Sequence, residues 1–174
     1  MAKRLLVTAI VVVGSGLNSL SGQSAATTSV FTEVQAAAGR AAYESVCVNC
    51  HTQALTGRTG EPGELPAISA LAETFRNGIQ QAGGKIPPLA GDAFVKRWGA
   101  RTTQALSLRI ATAISGFPPA GLDDKTANNL AAYFLQVSGA RAGTQELGTP
   151  GTIEVLIREV TATPPSSANQ QRTE

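Results

Sequence analysis

Both cysteines and the only histidine of this 174-residue chain fall in one five-residue stretch, Cys47-Val48-Asn49-Cys50-His51. C-x-x-C-H is the attachment sequence of c-type haem. Two thiols three positions apart on one helical turn can each form a thioether with a haem vinyl group. The adjacent imidazole then lies under the iron and supplies the proximal ligand. A disulfide or a C-x-x-C redox pair would use the same thiols, but neither needs the histidine. The stretch therefore points to one haem c, covalent through Cys47 and Cys50, with His51 as the metal ligand.

The elements around the motif must present it. Thr32-x-x-Gln35 fits a capping box, so a helix starts there and runs through Gln35, Ala38, Ala42 and Val46 into the motif. Gly39, Tyr43 and Cys47 are four apart and share one face. The stretch from Thr52 to Pro66 is rich in Gly, Thr and Pro and reads as loop. Helical spacing of Ile68, Leu71, Ala72 and Phe75 predicts a helix over Glu64–Gln81, ended by Gly83-Gly84. An extended turn is expected from Lys85 to Gly91, because Pro87 and Pro88 exclude helix before them. Further helices are expected over Asp92–Trp98 and Thr102–Ile114, and after Asp123, a good N-cap. That last helix carries Ala127, Leu130, Ala131, Phe134 and Val137, and Gly139 ends it.

The ends read differently. Lys3 and Arg4, the apolar run Leu5 to Val13 and the small polar residues beyond it form a secretory leader, with cleavage between Gly22 and Thr27. The run is short of the about 20 residues of a membrane span, so a membrane is expected only if the leader is not cleaved. The expected division is a signal peptide over 1–26, one domain over 27–147 and an extended or disordered tail over 148–174. Within the tail, Thr152–Val160 alternates partly and reads as an edge strand or extended arm. The formal charge of +2 is cancelled when Lys3 and Arg4 leave with the leader, so no nucleic-acid surface is indicated. Export fits the motif, since thioether-linked haem is assembled outside the bacterial cytoplasm. The expected location is periplasmic.

Several segments together resemble class I cytochromes c, most closely the cytochrome domains that accompany quinoprotein (pyrroloquinoline-quinone) dehydrogenases. They are Gly39-x3-Tyr43-x3-Cys47-x2-Cys50-His51, then Pro87-Pro88-Leu89-Ala90-Gly91 with Phe94 and Trp98. Phe117-Pro118-Pro119, Leu122-Asp123 and Leu130-Ala131-Ala132-Tyr133-Phe134-Leu135 come next in the family's order. The resemblance implies an all-α fold of about four or five helices around one haem. It implies that the first and last helices cross at Gly39, against Tyr133 or Phe134. It also implies that the Pro87 carbonyl orients His51 and that Leu89 packs on the ring. Trp98 either reaches a haem propionate or packs as a buried ring, and packing is the preferred reading.

Two departures stand out. The 35 residues between His51 and Pro87 exceed the family's usual spacing. The family's distal methionine is replaced by Phe117, which cannot ligate iron, and the only methionine is Met1. Candidates for the sixth position are water or hydroxide, Lys85, Lys96, Lys125, Tyr43, Tyr133, a ligand from a partner, or nothing, and an open or weakly water-ligated iron is the preferred reading. The preferred function is single-electron transfer with a redox partner protein, a dehydrogenase or an oxidase, as a carrier or subunit rather than a stand-alone enzyme. The alternative is a five-coordinate haem that binds a small gas or acts on peroxide; peroxide chemistry usually wants a distal acid–base group, and no second histidine exists. A degenerate cytochrome serving as an interaction module is a third reading.

Overall fold

The computed structural model describes residues 29–113, 122–150 and 155–161. Among them the architecture is all-α, and the only β pairing is two isolated bridges, Arg58 with Ile86 and Thr102 with Leu156. No helix among the described residues is long and apolar enough to cross a membrane. The stretch expected to be a leader, residues 1–26, lies outside the described residues, as do Phe117, Pro118 and Pro119.

Helix α1 spans Glu33–Ala42 and begins at the expected capping box. Thr32 Oγ1 accepts from Gln35 N at 3.2 Å, and Gln35 Oε1 accepts from Thr32 N at 3.3 Å. The same Gln35 amide also clamps Leu147, donating to its carbonyl at 3.0 Å and accepting from its N–H at 2.9 Å. A buried amide thus has its groups satisfied, and the chain after the last core helix is tied to the first. The rod continues from α1 as a π-helical turn over Tyr43–Cys47 and then α2, Val48–His51. The Val48 N–H bonds to Tyr43 O, five residues back. One extra residue in a turn rotates the next segment by about 100° relative to an uninterrupted helix, so the motif faces differently from the spacing of four expected for Gly39, Tyr43 and Cys47.

The expected helix over Glu64–Gln81 is shorter. Only a 3₁₀ turn, Ile68–Ala70, and α3, Glu73–Gln81, are helical. Ala67, Leu71 and Ala72 are extended, which separates the two pieces. Helix α4 is Gly91–Trp98, α5 is Thr103–Ala113 and α6 is Asp124–Val137. Asp123 caps α6, its Oδ1 accepting from Thr126 N at 2.7 Å. Helices α1 and α6 pack across each other, and α5 packs on α6.

The crossing does occur at Gly39, but not against a ring. A β-carbon there would run into the backbone of Asn129 and Leu130 on α6. Tyr133 and Phe134 pack one turn further on, with their centroids 5.6 and 6.0 Å from that of Tyr43. Backbone meets backbone at the glycine, and the aromatic rings fill the space that opens beyond it.

The tail also departs from expectation. Ile157–Thr161 is a short helix, α7, rather than an edge strand or arm. Ile157 is fully buried, and Val155 and Val160 are buried beside it. Backbone bonds from Thr103 N to Val155 O, Ile157 N to Arg101 O and Arg158 N to Gly99 O fasten it across the α4–α5 junction. Local pattern did not show this, because a few apolar residues in a polar tail become core only when another part of the chain offers a groove.

Candidate haem site

Cys47 and Cys50 are not joined to each other. Both line a cavity of about 470 Å³ together with His51. Burial pushes the Cys47 thiol up to about 11, helped by repulsion from Cys50. Burial also raises Cys50, opposed by the positive charge of Arg58. Burial holds the His51 imidazole below its usual value, so the ring stands neutral, the form that can bind a metal.

His51 Nδ1 is 2.9 Å from the carbonyl oxygen of Pro87. A carbonyl can only accept, so Nδ1 carries the proton and the Nε2 lone pair is left for a metal. Three contacts bring the two residues together. Gly57 N donates to His51 O at 3.1 Å. Arg58 and Ile86 exchange backbone bonds of 2.8 and 2.9 Å, which lays the Pro87 segment alongside the loop after the motif. Leu89 N donates to Leu55 O at 2.8 Å. Gly57, at φ +71°, is the point of closest approach, since a β-carbon there would lie 2.6 Å from Pro87 C and 2.7 Å from Pro87 O. On the other side of the motif, the Tyr43 hydroxyl donates to the Thr52 carbonyl and fixes the chain where it leaves α2. Burial, helped by repulsion from Cys47, Tyr133 and Cys50, raises the Tyr43 phenol and keeps it protonated.

Six of the seven residues expected at the cofactor, Cys47, Cys50, His51, Pro87, Leu89 and Trp98, line this one cavity. Phe117 lies outside the described residues. Trp98 is half-buried, packed on Phe94 at 6.5 Å and covered by the Arg101 guanidinium at 5.3 Å. Lys85, Lys96, Lys125, Tyr43 and Tyr133 are not among the residues that line the cavity.

The cavity suits a haem in two respects. Its walls are mostly apolar, with Phe75, Ile86, Leu106, Ile110, Leu130 and Phe134 able to cover a flat aromatic macrocycle. Arg97 and Arg109 are the cations on its wall and match two carboxylates. The sequence reading missed Gly57, Arg97 and Arg109. Nothing in their spacing marks them, since what matters is where loops and helices distant in the chain converge.

Residues 34–134 match the family described as cytochrome c oxidase, cbb3-type, subunit III. The chain belongs to this family. No curated protein and no solved structure matches the sequence. This cytochrome has the all-α fold expected of class I cytochromes c, and membership implies covalently attached haem c through Cys47 and Cys50. Its chemistry is haem-based electron transfer.

Proposed function

We propose that this cytochrome is an exported, periplasmic carrier of single electrons that takes them from a quinoprotein dehydrogenase. The observation that carries the reading is the wall on which Cys47, Cys50 and His51 stand together, with His51 Nδ1 held by Pro87 O. When bound, haem supplies a one-electron iron couple. The chain's own residues do the rest. Cys47 and Cys50 would hold the ring covalently. His51 would ligate through Nε2, with Pro87 O fixing its ring plane and tautomer. Leu89 and Trp98 would supply apolar cover from the cavity wall, and Arg97 and Arg109 would offer charge to the haem carboxylates. Export is supported by Lys3-Arg4 and the apolar run after them. The quinoprotein donor is supported by the order of Pro87-Pro88-Leu89-Ala90-Gly91, Phe94 and Trp98. An oxidase is the other partner class, because the matched family is described as an oxidase subunit.

The test is reduction of the purified oxidised holoprotein by a quinoprotein dehydrogenase with its alcohol or sugar substrate, monitored at the haem bands. Reduction within milliseconds to seconds, and recovery of the protein from the periplasmic fraction, support the reading. Reduction no faster than that of a non-cognate cytochrome overturns the donor assignment.

A second reading, binding of a small gas at the iron, is favoured by one observation. Among the described residues that line the cavity, none is Met, Lys or Tyr. On this reading carbon monoxide should bind the reduced protein rapidly, with Phe117 where the family has its distal methionine. Phe117→Met should place a thioether there, raise the potential, shift the spectrum to low spin and slow carbon monoxide binding. An unaltered spectrum and potential in this variant would refute the distal placement of Phe117.

A further inference from the structure

Arg58 is the buried cation of this molecule's site region. It is 2% exposed as a residue, and its side chain is 0% exposed. Its Nη2 donates to Asn49 O at 2.9 Å and to Pro66 O at 2.6 Å. Asn49 sits between the two cysteines, so the guanidinium is seated against the attachment helix α2 itself. The neutralisation of this charge is incomplete. Glu64 is the nearest carboxylate, with Oε2 3.7 Å from Nη1, a distance of ionic contact but not of hydrogen bonding. Nε and Nη1 have no hydrogen-bond partner. Glu64 keeps a partly exposed side chain and spends Oε1 on Thr59, accepting from its N at 2.6 Å and its Oγ1 at 2.9 Å.

We infer that Arg58 sets the reduction potential of the haem upward, and that Glu64 trims its effect. Placing a buried guanidinium under the covalent anchor costs desolvation and is poorly repaid by one distant carboxylate. A charge held this way acts on whatever redox centre the helix carries. Oxidation adds a positive charge to the iron centre, so a nearby fixed cation disfavours the oxidised state and raises the potential. Attenuation by solvent is weak, because the charge is buried. Arg58 touches no reacting atom in this role. It is a positioning residue that also fastens the loop after the motif through Asn49 and Pro66.

The inference rests on the haem assignment, and the test separates the two. Redox titration of the purified holoprotein is compared for wild type, Glu64→Gln, Arg58→Lys and Arg58→Met. Glu64→Gln keeps an oxygen for Thr59 and removes the countercharge, so the potential should rise. Arg58→Lys keeps the charge and should stay near wild type, while Arg58→Met should fall. A merely structural role would loosen the loop, admit water and lower the potential in every variant, including Glu64→Gln. A potential that is unchanged or lower in Glu64→Gln overturns the inference, and this variant decides the matter if Arg58→Met does not fold. Wild-type protein without covalent haem overturns the haem assignment, and the inference with it.

Discussion

The imidazole Nδ1 of His51 and the carbonyl oxygen of Pro87 are 2.9 Å apart, although 35 residues separate them in the chain. The bond depends on Gly57, which has no side chain where the Pro87 carbonyl passes. Gly57→Ala puts a methyl group against that carbonyl and forces an L-residue into positive φ. We expect destabilisation of about 1–3 kcal/mol in thermal unfolding of the holoprotein. The axial histidine should also lose its fixed orientation, read as a changed haem spectrum. A variant with wild-type melting and spectrum would show that the approach at Gly57 is not tight.

Gly39 makes the corresponding close contact between helices α1 and α6. Because a β-carbon would meet the Asn129 backbone rather than a movable side chain, even Gly39→Ala should be felt. Gly39→Leu should cost about 1–3 kcal/mol or more by overpacking. An unchanged melting curve would remove Gly39 from the helix contact.

Covalent attachment requires the two thiols. Cys47→Ala or Cys50→Ala should sharply reduce haem that survives a denaturing gel, and the double substitution should abolish it. Haem staining of the gel checks this, and full staining of the double variant would end the assignment.

Ile157 is 0% exposed and comes from the tail that the sequence reads as extended. Ile157→Ala should cost about 2–5 kcal/mol, as for other buried large-to-small changes. Melting at the wild-type temperature would mean that α7 is not part of the cooperative unit.

Asp123 links pH to stability. Its carboxyl is held below its usual value, first by the Thr126 N–H and then by the Thr126 hydroxyl. The folded pKa is depressed, so the stabilisation is present above the ordinary value of 3.8 and is lost as pH falls through the folded value. Asp123→Ala should lower the melting temperature near neutrality, and the gap from wild type should shrink in acid below pH 4. A gap that stays constant from neutral to acid pH would separate the cap from the charge.

What the sequence determined by itself was local. Cys47, Cys50 and His51 announce their chemistry by type and spacing alone, because attachment needs three atoms from one short helix. Thr32 with Gln35 and Asp123 with Thr126 mark helix starts, since an N-cap is satisfied within three residues. The apolar periods of α5 and α6 were legible for the same reason, as each helix records its buried face in its own spacing. The tertiary structure decided whatever depends on two distant segments at once. The resemblance placed a helix crossing at Gly39, but only the packing set the Asn129 backbone, rather than a ring, against it. Arg58 lies in a stretch that the sequence reads only as loop, and it is buried where Asn49 O and Pro66 O converge. The tail residues Val155, Ile157 and Val160 became core only because α4, α5 and α6 leave a groove they can fill. A hydrogen bond or a buried face within one helix is encoded in that helix, whereas a contact between segments is chosen by the packing of the whole chain.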